Sequence, residues 1–206
     1  MKLLLASNNA KKLKELQRIL DQAGLDSVEL LALSQVETYE EPIEDGRTFT
    51  DNALIKARAG VAHTGLATIA DDSGIAVEEL NGMPGVLSAR WSGAHGNDQA
   101  NNDLLLAQME HVPDRRRGAA FVSVCALVLP DGQEFVQEGR WEGELLRGPK
   151  GENGFGYDPL FVPAEETLIG GQGRSSAELS AEEKDALSHR GKALRALVEK
   201  IAELAS

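Results

Sequence analysis

The sequence has a single cysteine, Cys125, set in an apolar run. One thiol can build neither a disulfide framework nor a cysteine zinc site. A reducing compartment fits, and Cys125 reads as a small core hydrophobe. A cationic surplus is also missing. Lys and Arg number 21 against 33 Asp and Glu, for a formal charge of −12. Nucleic acid and anionic membrane would both repel such a chain, which argues against non-specific binding to either. Long apolar stretches are absent too. Lys2 is followed by Leu3-Leu4-Leu5-Ala6 and then at once by polar residues. That is too short for a signal peptide or a membrane span, so a cytoplasmic location is expected. There is no G-x-x-x-x-G-K-[ST] loop and no G-x-S-x-G elbow, and Gly171-Gln172-Gly173 lacks the third glycine of a dinucleotide fingerprint. These absences argue against a P-loop kinase or ATPase, an elbow-type hydrolase and a dinucleotide-binding fold. With no His-Asp dipeptide, a histidine-rich metal phosphohydrolase is disfavoured as well.

What is present supports a globular chain with a core of its own. The 206 residues are 42% hydrophobic, enough for a core in one domain or two joined lobes. Lys2 to Ala6 reads as a buried strand that Ser7-Asn8-Asn9 breaks. Leu13, Leu16, Ile19 and Leu20 follow at helical spacing up to Gly24, and Val28 to Leu33 reads as a second strand. A polar stretch from Glu37 to Arg47 holds five carboxylates. Thr48-x-x-Asp51 then forms a capping box for a helix with Phe49, Ala53, Ala57 and Val61 on one face, ending near Gly65. Ala67 to Ala70 predicts a short strand running into Asp71-Asp72-Ser73-Gly74. Asp98 to Met109 predicts a helix. Phe121 to Leu129 and Glu134 to Glu144 predict a hairpin turned by Pro130-Asp131-Gly132. Ser180-x-x-Glu183 caps a short helix, and Leu194, Leu197, Val198, Ile201 and Leu204 stripe the last one. The fold class that follows is α/β, a mixed twisted sheet with helices on both sides.

Four segments could carry chemistry. Ser7-Asn8-Asn9-Ala10-Lys11-Lys12 sits between a strand and a helix start, where unpaired amides, the helix dipole and two lysines suit phosphate. The alternative is a plain N-cap with solvated lysines. Asp71 and Asp72, adjacent at a strand end, call for a cation, and oxygen ligands of this kind suit magnesium, which keeps waters and shares substrate phosphates. The alternative is an Asp-rich turn. Gly154-Phe155-Gly156-Tyr157-Asp158-Pro159 combines small residues with two aromatics, fitting a flat base or an ordinary tight turn. Lys184 with Ser188-His189-Arg190 places cations at a helix start, where the dipole does not favour them. That is either a binding cluster or a solvated pair.

Taken in order, these segments resemble the inosine triphosphate pyrophosphatase family. The likeness rests on Ser7-x-Asn9-x-x-Lys12 and Gly46-x-Thr48-Phe49-x-x-Asn52-Ala53-x-x-Lys56-Ala57, followed by Ala70-Asp71-Asp72-Ser73-Gly74. Gly82-x-Pro84-Gly85-x-x-Ser88-Ala89-Arg90, the Gly154 to Pro159 run and Ser188-His189-Arg190 complete it. The resemblance implies a single domain over residues 1–206, built as two lobes around a nucleotide groove, with homodimers and magnesium. It implies that Ser7 to Lys12 hold the triphosphate, that Asp72 is the general base and that Ser73 touches substrate. Phe155, Gly156, Tyr157, Asp158, Lys184, His189 and Arg190 would hold the nucleoside. Asp72 and an upstream glutamate, Glu44 rather than Glu41, would hold the metal. Two departures stand out. Thr38 to Asp45 is long for the family, with Ile43 where an acidic residue is common, and Leu168 to Gly173 looks like an insertion.

The implied reaction is attack of water on the α-phosphorus of a non-standard purine triphosphate (ITP, dITP or XTP), releasing pyrophosphate. Lys12, Lys56 and magnesium would neutralise the phosphates. Two other readings stay open at this point. One is a Maf-like nucleotide pyrophosphatase with a different base preference. The other is a nucleotide-binding sensor without turnover, which the intact Asp71-Asp72 pair disfavours.

Overall fold

A computed structural model of the chain describes residues 1–168 and 173–205. The chain folds into two compact units. Met1–Asp72, Ser123–Gly139 and Arg190–Ser206 make the first, and Ser73–Val122 and Arg140–His189 the second. The strands β1 (Lys2–Leu5), β2 (Glu29–Ala32), β3 (Ala67–Val77), β4 (Gly118–Val128), β5 (Glu134–Leu145) and β6 (Phe161–Pro163) form one mixed sheet in the order β2-β1-β3-β4-β5-β6. β1 lies parallel to both β2 and β3, while β5 and β6 are antiparallel. The expected mixed α/β fold is the one observed. Among the described residues no helix is long and apolar enough to cross a membrane.

Within the first unit, strand alternation sorts the core into two faces. Leu3, Leu5, Ile69, Cys125 and Leu127 point one way. They meet Leu16, Ile19 and Leu20 of α1 (Ala10–Gln22) and Leu194, Leu197, Val198 and Ile201 of α6 (His189–Ala205). Ala70, Val124, Ala126 and Val128 point the other way, against Ala53 and Ala57 of α2 (Phe49–Thr64). Small residues let α2 lie close to the sheet. A Cβ on Gly60 would come within 2.5 Å of the Thr68 side chain. The expected capping box is present. Thr48 Oγ1 accepts from the Asp51 amide at 3.1 Å, and Asp51 accepts from the Thr48 amide at 2.9 Å. Gly65 ends α2 in the left-handed conformation, with φ 66°.

The second unit has its own core, in which Trp141, Phe121 and Phe161 pack with Ile75, Leu105, Met109 and Leu160. Around it lie α3 (Asp98–Gln108), α4 (Ala164–Leu168) and α5 (Ala181–Leu187). Buried Arg117 braces this core by donating to the carbonyls of Met109, Leu145 and Leu146 at 2.6–2.9 Å.

Three expectations change. The strand expected to stop at Ala70 continues through Asp71-Asp72-Ser73-Gly74 to Val77, so the acidic pair lies inside β3 and not in a turn. β6 and α4, three and five residues long, give no readable period and were not expected. Leu204 is 36% exposed and stands at the edge of the apolar stripe of α6. The apparent insertion from Leu168 to Gly173 falls mostly outside the described residues.

Candidate active site

Because successive side chains on a strand face opposite ways, the two adjacent aspartates serve different faces. Asp71 follows Ile69 onto the α1 and α6 face, and Asp72 follows Ala70 onto the α2 face. The mutual repulsion anticipated for the pair is relieved in this way, and each carboxylate meets its own cations.

Asp71 is buried. Lys12 Nζ, from α1, lies 2.9 Å from Oδ1 and 2.8 Å from Oδ2, and Arg190 Nε, from α6, lies 3.3 Å from Oδ2. Burial opposes the charge, but Lys12 and Arg190, with Lys56 adding to them, outweigh it and hold the carboxyl well below the usual carboxylate range. Arg190 is in turn held charged. Burial alone would weaken it, and the Asp71 carboxylate, with Glu15 adding to it, more than compensates. His189 and Arg190 do open α6, where the dipole disfavours cations, and Asp71 supplies the missing counter-charge.

Asp72 is half-buried. Asn52 Nδ2 donates to its Oδ2 at 3.1 Å, and Lys56 Nζ lies 3.6 Å from its Oδ1. The same ammonium is 3.0 Å from Glu44 Oε2. Asn52 and Lys56 are one turn apart on α2, which puts both on the same helix face. Asn52 itself is buried, and its Oδ1 accepts from the Gly46 amide at 2.9 Å. A Cβ at Gly46 would sit 2.6 Å from that oxygen, which explains the glycine. Asn52 is a site residue that sequence reasoning quoted but gave no role. Its signal was a polar side chain on the apolar side of an amphipathic helix.

The acidic segment before α2 is tied down by side chains. Tyr39 stacks on His63 with ring centroids 4.7 Å apart, and Glu41 Oε1 accepts from Asn8 Nδ2 at 2.6 Å. Of the two glutamates considered as metal ligands, Glu44 is the one that shares Lys56 with Asp72. Among the described residues no group of three or more histidine, cysteine or acidic side chains is gathered to hold a metal by itself.

The loop from Ser7 to Lys12 differs from expectation in one respect. Asn9 caps α1, and its side chain accepts from the amides of Lys11 and Lys12 at 2.9 and 3.4 Å. Ser7 Oγ accepts from the Asn9 amide at 3.2 Å. Amides expected to stay unpaired are therefore taken. Lys11 is exposed and Lys12 half-buried, with Asn8 and Ala10 exposed beside them. Ser73 follows Asp72 in β3 and is half-buried.

In the second unit the run from Phe155 to Asp158 is held by hydrogen bonds. Buried Asp158 accepts from the Phe155 amide at 2.8 Å and from Ser176 Oγ at 2.8 Å, and it pairs with Lys184 Nζ. Gly154 has φ 82°, and a Cβ there would fall 2.1 Å from Asp158 Oδ2. Tyr157 is buried, and its hydroxyl donates to the Ser88 carbonyl at 2.8 Å. Burial, helped by Asp98, pushes that phenol well above its ordinary range. Gly156 is bonded to α3 at both its amide and its carbonyl. Phe155 is left 60% exposed, with the Lys184 ammonium 5.1 Å from its ring centre. Lys184 lies in the last turn of α5, where a cation is favoured, and not at a helix start as expected. His189 stacks on Phe121 with centroids 5.1 Å apart and an interplanar angle of 14°. A further approach explains Gly74, whose Cβ would meet Ser88 Oγ at 2.3 Å. Ser88 Oγ accepts from the Ile75 amide at 2.9 Å.

Known proteins carry the same pattern from end to end. The Ham1 family model matches residues 3–200. A Corynebacterium glutamicum (strain R) protein named dITP/XTP pyrophosphatase is 89% identical over 206 residues, covering 100% of this chain and 99% of its own. A crystal structure of nucleoside-triphosphatase / dITP/XTP pyrophosphatase from Mycobacterium abscessus matches with 63% identity and a TM-score of 0.81, over 96% of this chain and 98% of that one. The Staphylococcus aureus Ham1 protein matches with 33% identity and a TM-score of 0.88, over 99% and 100%. The match spans nearly the whole sequence and both cores, and the chain belongs to the Ham1 family.

Proposed function

We propose that this chain hydrolyses non-standard purine nucleoside triphosphates, ITP, dITP and XTP, to the monophosphate and pyrophosphate. The observation that carries the reading is the setting of Asp72. Its carboxylate is half-buried, held by the Asn52 amide, and placed beside Lys56 and Glu44. A carboxylate oriented in this way beside an ammonium can take a proton from an attacking water. The names of the relatives support the substrate class.

Charge balance supports a metal. Asp71, Asp72 and Glu44 are three carboxylates facing three cations, Lys12, Lys56 and Arg190. The cluster is neutral before substrate arrives, yet a triphosphate adds about four negative charges. The donor set fits magnesium. Glu44 and Asp72 offer hard oxygens toward one point where a cation already sits, and an ion that keeps waters and shares phosphates needs only one or two carboxylates. Glu44 and Asp72 would hold it, and when bound it would supply charge neutralisation at the phosphate oxygens. Lys11 and Lys12 would bind the outer phosphates, with Ser7 to Ala10 shaping that loop and Ser73 touching substrate. Arg190 pairs with Asp71, the same carboxylate that holds Lys12.

The nucleoside falls to Phe155, Gly156, Tyr157, Asp158, Lys184 and His189. Lys184 offers donors to a 6-oxo group, and the exposed Phe155 ring offers a flat face to the base. Adenine presents an amino group at the same place, so donor would face donor and a buried group would go unpaired. A site built on such pairing discriminates by up to ~10⁴-fold. The same reading makes the protein a cytoplasmic homodimer acting on small nucleotides as a single domain with two lobes.

The test is turnover of ITP, XTP, GTP and ATP with magnesium in ¹⁸O-labelled water. We expect ITP and XTP to lead, with the label in the monophosphate. Label in inorganic phosphate beside a diphosphate would overturn the bond assignment. A preference for pyrimidine nucleotides would favour the Maf-like reading, and binding without turnover would favour a sensor.

A further inference from the structure

The loop that would meet the base contains Gly151, Gly154 and Gly156, all at positive φ. Such a segment has little stiffness of its own, because glycine restricts its backbone least. Something outside the loop must therefore set the Gly156 peptide. Helix α3 does so from two points. The Gly156 amide donates to Asp98 Oδ2 at 2.7 Å, and the Gly156 carbonyl accepts from Asn102 Nδ2 at 3.0 Å. Asp98 and Asn102 are four residues apart, one turn of the same helix face. Donor and acceptor of one residue are thus held by one rigid element.

The clamp is itself anchored. Asn97 caps α3, its side chain accepting from the Ala100 amide at 3.1 Å, and Leu105 packs the helix into the second unit's core. Asn101, between the clamp residues, accepts from the Ser92 amide and hydroxyl at 2.8 Å each. Asn102 is buried while Asp98 is exposed. On one side of Gly156 stands Phe155, whose amide is fixed by Asp158. On the other stands Tyr157, fixed by Ser88. Rotation of the Gly156 peptide would turn the Phe155 ring and disturb the Asp158 carboxylate that holds Lys184.

We propose that Asp98 and Asn102 are positioning residues for base selectivity, acting through the Gly156 peptide and touching no substrate themselves. The inference rests on the nucleoside site proposed above. Its strength lies in the chemistry of the two bonds. One needs an acceptor at position 98, charged or not, and the other needs a donor at position 102.

Three variants separate those needs: Asp98→Ala removes the acceptor, Asp98→Asn keeps an acceptor without the charge, and Asn102→Asp sets an acceptor against the Gly156 carbonyl. The measurement is kcat and KM for ITP and for ATP with magnesium, and thermal unfolding of each variant. In Asp98→Ala and Asn102→Asp the ITP-to-ATP ratio of kcat/KM should fall about tenfold, the scale of one lost hydrogen bond. The loss should appear in KM for ITP, with kcat nearly kept, because Asp72 is held by Asn52 and Lys56. Asp98→Asn should restore the ratio. An unchanged ratio in Asp98→Ala would overturn the inference. So would equal effects of Asp98→Ala and Asp98→Asn, or a fall in kcat with the ratio preserved. If Asn102→Asp unfolds, the exposed Asp98 pair of variants decides alone. Failure of the underlying functional reading looks different, since the unmutated protein would then show no preference for ITP over ATP, and the inference would fall with it.

Discussion

Replacing Asp71 by asparagine is the sharpest probe of the charge cluster in the first unit. The amide keeps the shape and one acceptor but removes the charge that Lys12 and Arg190 share. Removing one partner of a buried ion pair typically costs about 3–5 kcal/mol, because the remaining charge is left in a poorly hydrated site. The cation side chains retain 20% and 14% exposure. Both can recover some hydration, which places the expected cost near ~3 kcal/mol. In a chain of 206 residues, each kcal/mol moves the midpoint by about 2–4 °C. Asp71→Asn should therefore lower Tm by ~6–12 °C at neutral pH.

The pH dependence gives the same pair a second signature. Asp71 has a folded pKa below its unfolded value, so the folded state binds fewer protons. Its contribution is complete above the unfolded pKa of about 3.9 and is lost as pH falls through the folded value. The Tm gap between the unmutated protein and Asp71→Asn should stay constant from about pH 8 to 5 and close only below about 4. Differential scanning calorimetry across that range is the assay. A Tm unchanged at neutral pH would mean that the cations do not depend on Asp71. A gap that changes between about pH 8 and 5 would point to a group titrating there, and the assignment to Asp71 would fail.

The fold was legible where signals were local. The Thr48-Asp51 box and Gly65 mark the ends of α2, because capping is decided within a few residues. Period and turn chemistry likewise show the β4–β5 hairpin and the apolar stripe of α6. The order of the family motifs identified the family, although each motif alone admitted a bland reading. What stayed hidden depends on partners distant in sequence. Asp-Asp-Ser-Gly has poor strand propensity, so β3 seemed to end at Ala70. It continues because pairing and packing override propensity, and that continuation assigns Asp71 and Asp72 to opposite faces. Asp71, which accepts from Arg190, is 119 residues away from it, a pairing that no local pattern reveals. Asn52 went unassigned because its role lies in two bonds, to Gly46 and Asp72, that exist only once α2 is docked on β3.

Two further substitutions test the two ends of the proposed site. Asp72→Asn should lower kcat by ~10²–10⁴-fold while ITP still binds, since an amide keeps the shape but cannot serve as base; a variant that keeps most of its turnover would remove Asp72 from the chemistry. Gly154→Ala probes the nucleoside end. Its φ of 82° disfavours any side chain, and its Cβ would fall 2.1 Å from Asp158 Oδ2. Either the carboxylate moves, releasing Lys184 and the Phe155 amide, or the backbone turns and takes the Phe155 ring with it. Both routes spoil base binding and spare Asp72, so KM for ITP should rise about tenfold or more with kcat nearly kept. If calorimetry shows the variant folded and isothermal titration in the absence of magnesium shows ITP bound as tightly as before, the Gly154 to Asp158 run does not hold the base, and the nucleoside contact must be sought elsewhere.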